Sequence, residues 1–158
     1  MGLESDMDVL GEVPLFRELT RDQLRLLAFG AEHRQLRAGE ILFRAEARAD
    51  AGFVVAGGTV HLLEGEGAER RVGGSAERGT LLGELALLVE TRRPVTAVAA
   101  TDCDLIRIPR PLFRRMLTEY PEFAVSLEAR LRAEFLDMST RILALSPAFE
   151  PDEDEPGA

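Results

Sequence analysis

Cysteine and histidine are scarce in this 158-residue sequence, which contains one cysteine, Cys103, and two histidines, His33 and His61. A single cysteine cannot form an intramolecular disulfide, and the three residues do not have the spacing of a metal site. The sequence therefore argues against a zinc, haem or iron–sulfur sensor and against a metal-dependent enzyme, and we expect no enzymatic activity. Cys103 is predicted to be a small buried residue.

Long apolar runs and basic charge are also missing. No stretch approaches the roughly 18 apolar residues that a membrane-spanning helix needs. The 19 Lys and Arg residues against 28 Asp and Glu give a net charge of −9, which argues against nucleic-acid binding by the chain as a whole. The first residues, MGLESDMDVL, are acidic where a secretory signal is basic. We therefore expect a cytoplasmic protein.

The acidic excess is concentrated near the C-terminus. The segment 147–158 has too few apolar residues to order itself and is predicted to be a disordered acidic tail. An alternative is that this segment docks on a basic partner. The remaining residues, 1–146, have the length of one domain with a hydrophobic core.

The order of predicted elements is helix, many short strands, then helices. Residues 14–31 are predicted to be helical, with Thr20 and Gln23 forming a capping box. From residue 35 to residue 109, short apolar runs alternate with glycine-containing turns, which is typical of a barrel or sandwich. In the sequence DLIRI, Ile106 and Ile108 share one face of a strand and Arg107 takes the other.

After Pro109 no glycine occurs until Gly157, and the sequence predicts a short helix followed by a long one. Apolar residues recur in the long helix at the 4-3-4-3 spacing of a coiled-coil seam. They are Leu131, Phe135, Met138, Ile142 and Leu145. The seam either pairs two chains as a homodimer or packs on the chain's own barrel, and the sequence leaves both alternatives open.

The segment GTLLGELALLVETRRPVTAVAATDCD combines a glycine, a carboxylate, a helical turn and an arginine pair among apolar side chains. Gly83 allows close backbone approach to a ligand, and the turn that starts near Glu84 has free N–H groups at its N-terminus. Burial of Arg93 in such a setting requires a negative partner. That partner is either an anionic ligand or Glu84, as an ordinary ion pair.

A cyclic nucleotide fits these groups because it carries one negative cyclic phosphate and one free ribose hydroxyl. Arg93 and the free N–H groups suit the phosphate, and the Glu84 carboxylate is an acceptor for the hydroxyl.

The residues from about Val13 to Leu145 resemble the cyclic-nucleotide-binding domain of the catabolite activator protein and of the regulatory subunits of cAMP-dependent protein kinase. The segment LLGELALLVETRRPVTAVAATDCDL is similar to that family's phosphate-binding cassette, and PLFRELTRDQL and IPRPLFRRMLTEYPEFAVSL resemble its entry helix and hinge. The resemblance implies a mainly β fold. That fold is a double-stranded β-helix, or jelly-roll, barrel with N-terminal helices and a long C-terminal helix.

The resemblance also implies the binding residues. Glu84 accepts from the ribose 2′-hydroxyl, the amides of Leu85 and Ala86 and the side chain of Arg93 meet the phosphate, and the long helix covers the base. Thr96 is either structural or functional. The full set of implied ligand-binding residues is Gly83, Glu84, Leu85, Ala86, Arg93, Pro94, Val95, Thr96, Met138, Ser139 and Thr140.

Two positions depart from the family pattern. Families that prefer cGMP have a threonine directly after the binding arginine, and Pro94 stands there in this chain, so we expect cAMP as the ligand with cGMP less favoured. Proline also lacks the N–H that often donates to the phosphate at this position. In the early turn RAEARAD, Glu46 replaces a glycine of the family.

The sequence thus predicts a stand-alone sensor that binds cAMP and signals to an unknown partner protein by movement of the C-terminal helix. We expect no DNA-binding module, because residues after Leu145 are few and acidic. The alternative is a ligand-free module that uses Arg92 and Arg93 for a protein contact.

Overall fold

Helices precede the sheets in the computed structural model, which describes residues 2–133 and 136. Helix α1 spans Leu3–Glu12, a 3₁₀ turn spans Pro14–Phe16 and helix α2 spans Arg21–Gly30. The prediction of one helix over 14–31 was wrong at its start, because Thr20 has extended backbone and serves as the N-cap of α2. Its capping box with Gln23 is confirmed. Helix α1, which was not predicted, buries Met7, Val9 and Leu10.

Within residues 2–133, ten strands form two four-stranded antiparallel sheets and a two-stranded ribbon. The strands are β1 Glu32–Leu36, β2 Ile41–Phe43, β3 Arg48–Ala49, β4 Ala51–Gly57, β5 Val60–Glu64, β6 Arg71–Ala76, β7 Leu81–Leu82, β8 Thr91–Arg92, β9 Thr96–Ala99 and β10 Cys103–Pro109. The first sheet has the order β1-β10-β4-β7, the second β2-β9-β5-β6, and β3 pairs with β8. Two further 3₁₀ turns are Gly67–Glu69 and Leu85–Leu87. This mainly β roll with flanking helices is the predicted fold class.

One cluster of the hydrophobic core takes residues from both four-stranded sheets. Its buried residues are Leu36, Leu42, Phe53, Val55, Val60, Ala76, Leu82, Ala97, Ala99, Cys103 and Leu105. Each large apolar side chain of such a core contributes about 1.5–3 kcal/mol to folding. Cys103 is buried among them, as predicted.

Strand β10 shows the predicted alternation and one departure from it. Ile106 and Ile108 are buried and Arg107 is partly exposed, which confirms the sequence pattern. Leu105 is buried as well, and the pairing with β4 shifts register between Asp104 and Leu105. A strand between two neighbours, with core on both faces, does not follow strict alternation.

The chain divides into two compact units, Met1–Glu119 and Tyr120–Ala158. Helix α3, Arg110–Glu119, is the last element of the first unit. Helix α4, residues 121–133, begins the second unit. Of the predicted seam only Leu131 lies in the described part of α4. Phe135, Met138, Ile142, Leu145 and the predicted acidic tail lie outside the described residues. Within residues 2–133, no helix is both long and apolar enough to cross a membrane.

Candidate functional site

A cavity of about 420 Å³ lies beside the cassette segment. Its wall combines apolar side chains from the strands with the turn after Gly83 and the segment around Arg93. The lining residues are Phe43, Ala49, Leu62, Leu81, Leu82, Gly83, Glu84, Leu85, Ala86, Thr91, Arg92, Arg93, Pro94 and Val95. The volume is in the range of small-molecule sites.

Arg93 is the buried cation of this cavity. The residue is only 4% exposed, although it carries a full positive charge. Its Nη2 donates to the carbonyl of Ala51 at 2.8 Å, whereas its Nε and Nη1 are buried and have no hydrogen-bond partner. An ordinary hydrogen-bonded pair with Glu84 is therefore not formed through Nε or Nη1. A buried guanidinium with open donors is costly unless an acceptor fills the site.

Two aromatic rings partly compensate for that burial. The guanidinium carbon of Arg93 lies 4.3 Å from the centre of the Phe43 ring and 5.6 Å from that of Phe53. Each such contact contributes about 0.5–2 kcal/mol. The rings favour the positive charge but offer no hydrogen-bond acceptor in the plane of the guanidinium. They hold Arg93 in position and leave its Nε and Nη1 unsatisfied.

The surroundings of Arg93 disfavour its positive charge. Burial lowers the pKa of its guanidinium from the ordinary value, and the nearby charges of Arg107 and Arg110 lower it further. The Asp50 carboxylate acts in the opposite direction. Arginine nevertheless remains charged at accessible pH. The lowered pKa of Arg93 therefore shows that its surroundings disfavour the positive charge, and a nearby anion would favour it.

The backbone of Gly83 lies close to this guanidinium. Its φ is +82°, and a Cβ at this position would lie under 3.0 Å from Nη1 of Arg93. Both the left-handed conformation and the close approach require glycine. Gly83 therefore sets the distance between the turn and Arg93.

The turn after Gly83 contains Glu84, Leu85 and Ala86, all of which line the cavity. Glu84 precedes the 3₁₀ turn Leu85–Leu87, Ala86 is buried, and Leu85 is 59% exposed. The Ala86 N–H donates to the Gly83 carbonyl at 3.0 Å, so this amide is engaged within the turn. The Leu85 amide is the first of the turn, a position without a partner inside a helix.

The residues after Arg93 divide into two that reach the cavity and one that does not. Pro94 and Val95 line it. Thr96 is buried, is not among the lining residues, and its Oγ1 accepts from the Ala45 N–H at 2.9 Å. That contact gives Thr96 a structural part in the early turn. Met138, Ser139 and Thr140, which the resemblance places near the base, lie outside the described residues.

The early turn around Glu46 fixes the backbone of Arg93. The Glu46 N–H donates to the Arg93 carbonyl at 2.8 Å, and the Arg93 N–H donates to the Ala47 carbonyl at 2.8 Å. Arg92 Nη1 adds a third bond, to the Glu46 carbonyl at 2.9 Å. Glu46 has φ 71° and, within the described residues, is the one non-glycine with positive φ. The turn thus keeps its geometry with a strained residue where the family has glycine.

Glu46→Gly is therefore expected to stabilise the protein by about 1 kcal/mol, because it removes the cost of a side chain in the left-handed region. The midpoint of urea unfolding measures this. Ala47→Gly, at ordinary φ in the same turn, is the matched control and is expected to destabilise by about 0.5–1 kcal/mol. Equal destabilisation by both variants would show that the backbone at Glu46 is not strained.

Sequence reasoning missed several residues of the site. The sequence does not distinguish apolar strand residues that line a cavity from those that lie in the core. The apolar residues missed for this reason are Phe43, Leu62, Leu81 and Leu82. The Ala51 carbonyl, which accepts from Arg93, has no side-chain signature at all. Arg92 belongs to the arginine pair of the cassette segment, and the structure places it at the cavity wall with its side chain exposed.

The chain is similar in sequence and in fold to known proteins. Residues 33–120 match the family model of the cyclic nucleotide-binding domain. A cyclic nucleotide-binding-like protein from Brucella abortus is 46% identical, with a TM-score of 0.65 over 72% of this chain and 97% of that one. The catabolite activator protein of Thermus thermophilus is 28% identical, with a TM-score of 0.71 over 84% of this chain and 63% of that one.

Lysophospholipase nte1 of Aspergillus fumigatus is 30% identical over 131 residues, which are 80% of this chain and 9% of that protein. The chain spans between 8% and 10% of the length of such curated relatives. The match to these relatives therefore covers one part of them and not their whole length. This chain belongs to the cyclic nucleotide-binding domain family.

Proposed function

We propose that this chain is a cyclic-nucleotide sensor that binds cAMP in the cavity at Arg93. The observation that carries the proposal is a guanidinium that is 4% exposed and has two nitrogens, Nε and Nη1, without acceptors. A cyclic phosphate supplies one negative charge and two exocyclic oxygens, which are acceptors for the N–H groups of a guanidinium.

The rest of the cavity suits the rest of a cyclic nucleotide. The Glu84 carboxylate lines the wall beside Gly83 and is an acceptor for a ribose hydroxyl. Phe43, Leu62 and Val95 give an apolar surface for a flat base. The wall offers groups that bind an anion and an apolar body, so we propose a binding domain and not an enzyme.

Pro94 favours cAMP over cGMP. It lines the cavity directly after the arginine and has no hydroxyl to meet a guanine amino group. It also has no N–H for the phosphate, and one net hydrogen bond of about 0.5–1.5 kcal/mol is missing there. We propose that the occupied site is read by a partner protein through movement of the C-terminal helices.

A thermal shift tests the proposal. At a hundredfold excess over Kd, a ligand that binds only the folded state adds about 2.7 kcal/mol of stability. For a chain of this size, that free energy raises Tm by about 5–10 °C. We expect this rise with cAMP, a smaller one with cGMP at the same concentration, and none with adenosine, which lacks the phosphate. Calorimetric titration gives the Kd, and no heat or shift with either nucleotide at millimolar concentration would falsify the proposal.

The second candidate is a ligand-free module for protein interaction, and the missing donor at Pro94 is what favours it. Of the neighbouring Arg92 and Arg93, Arg93 is buried and Arg92 is exposed, so Arg92 is the one available for such a contact. If the chain is such a module, replacement of Arg92 by Ala is expected to weaken binding of the partner protein. Neither the unsubstituted protein nor the variant is then expected to respond to a nucleotide.

A further inference from the structure

The wall of the cavity is largely apolar away from Arg93. Among the described residues that line the cavity, the polar side chains are those of Glu84, Thr91, Arg92 and Arg93. The other lining residues are Phe43, Ala49, Leu62, Leu81, Leu82, Gly83, Leu85, Ala86, Pro94 and Val95. A polar group that is buried against such a wall without a hydrogen bond lowers affinity. The wall therefore suits a ligand whose body has no hydrogen-bonding groups.

The backbone of the turn after Gly83 uses its polar groups within the protein. The Ala86 N–H donates to the Gly83 carbonyl at 3.0 Å. The Ala86 carbonyl accepts from Arg110 Nε at 2.7 Å, and the Leu88 carbonyl accepts from Arg114 Nη2 at 3.1 Å. Neither of these two arginines lines the cavity. The turn therefore presents mainly its side chains to a ligand.

The anion-binding end of the cavity is small. The Nε and Nη1 atoms of Arg93 have no hydrogen-bond partner, and its Nη2 donates to the Ala51 carbonyl. The next residue, Pro94, contributes no N–H. A carboxylate carries one negative charge and two acceptor oxygens, and its hydrogen bonds with a guanidinium are charge-assisted. It therefore meets both needs of Arg93, a negative charge and an acceptor.

Apolar surface continues from the cavity to its rim. Leu85 lines the cavity and is 59% exposed. Val89, whose N–H donates to the Leu85 carbonyl at 3.1 Å, is 47% exposed. An alkyl chain that extends outward from the cavity would cover this surface. Each methylene that it buries increases affinity about threefold.

We propose that the cavity at Arg93 also binds a medium-chain fatty acid. The carboxylate lies at Arg93, and the alkyl chain follows the apolar wall toward Leu85. This inference goes beyond the proposed function, because it assigns a second class of ligand to the cavity and does not require that a nucleotide binds. A fatty acid and a cyclic nucleotide need the same guanidinium and therefore exclude each other.

Calorimetric titration with octanoate, decanoate and decanol tests the proposal, each below the concentration at which it forms micelles. We expect decanoate to bind about tenfold more tightly than octanoate, because it buries two more methylenes. Decanol has the same chain without the charge, and we expect it to bind at least about tenfold more weakly than decanoate. No decanoate isotherm at millimolar concentration, or equal affinities for decanoate and decanol, would overturn the proposal.

Arg93→Met tests where the carboxylate lies. We expect this variant to bind decanoate at least about tenfold more weakly and decanol with unchanged affinity, since only the acid uses the guanidinium. An undiminished affinity for decanoate would place the acid elsewhere on the protein and overturn the proposal.

Leu85→Ser tests the path of the alkyl chain. We expect it to weaken decanoate binding about threefold to tenfold, because it removes apolar surface at the rim. Val72→Ser is the matched control, since Val72 on β6 is 51% exposed and does not line the cavity. It is expected to leave the affinity for decanoate unchanged. An equal loss in both variants would show general adsorption to exposed apolar residues and contradict the proposal.

Glu84→Gln separates the two classes of ligand. We expect it to bind decanoate about threefold more tightly, because a like charge is removed from the cavity wall, and cAMP about threefold more weakly, because the ribose hydroxyl loses a charged acceptor. An unchanged or lower affinity for decanoate contradicts a carboxylate in this cavity. In the unsubstituted protein, a cAMP isotherm without a decanoate isotherm overturns this inference alone. A decanoate isotherm without a cAMP isotherm overturns the proposed function alone.

Discussion

Arg93→Met is expected to abolish nucleotide binding and, at the same time, to make the ligand-free protein more stable. Methionine fills a similar volume between the rings of Phe43 and Phe53 and carries no charge to desolvate. The substitution loses the hydrogen bond to the Ala51 carbonyl and two cation–π contacts, and it removes a buried cation with two open donors. We expect a net gain of about 1–2 kcal/mol, because replacing buried charge by apolar side chains is often stabilising.

Binding in the same variant is expected to fall by at least about a hundredfold, since truncating one partner of a buried charged pair costs about 2–5 kcal/mol. Urea unfolding without ligand and calorimetry with cAMP measure the two effects. Arg71→Met is the control: Arg71 lies on β6, pairs with Glu64 at 3.1 Å and is mostly exposed. Its effect on stability is expected to stay under about 1 kcal/mol, with unchanged binding. A large loss of stability in Arg93→Met would identify Arg93 as a structural residue and remove the main support for the sensor.

Gly83→Ala is expected to weaken cAMP binding by about a hundredfold. The added Cβ would lie under 3.0 Å from Nη1 of Arg93, and the guanidinium cannot simply turn away because Ala51 and two rings enclose it. The guanidinium of Arg93 and the turn after Gly83 would then both be displaced from the positions in which they face the proposed phosphate site. Alanine at φ +82° also costs about 1–2 kcal/mol of stability.

Gly39→Ala separates the clash from the backbone strain. Gly39 has φ +92° in the connection between β1 and β2, and a Cβ there would meet nothing within 4 Å. We expect Gly39→Ala to lose about 1–2 kcal/mol of stability, because its backbone has the same left-handed strain. We expect this variant to bind cAMP with unchanged affinity. Calorimetry measures the affinity of both variants for cAMP. If Gly83→Ala and Gly39→Ala bind cAMP equally well, contact between Gly83 and Arg93 does not shape the site.

Where the fold follows local rules, the sequence was sufficient to predict it. The capping box of Thr20 and Gln23 places the start of α2, and the alternation around Arg107 places β10. Helix α1 was missed although it buries Met7, Val9 and Leu10, because its acidic residues and a glycine obscured the helical period. The split of the 14–31 helix likewise depended on the extended backbone of Thr20, which a periodicity count does not register.

The sequence by itself determined which segment carries the candidate site, because Gly83, Glu84 and Arg93 lie within a dozen residues, and the structure places all three at one cavity. Only the tertiary structure decided what surrounds them. The Ala51 carbonyl is 42 residues from Arg93, Arg110 is 24 residues from Ala86, and the turn at Glu46 is bonded to the Arg93 backbone. Backbone carbonyls leave no trace in the identity of their residues, and the distance between groups far apart in the chain is set by the pairing of strands. The unsatisfied donors of Arg93, on which the proposed function depends, are a property of that packing.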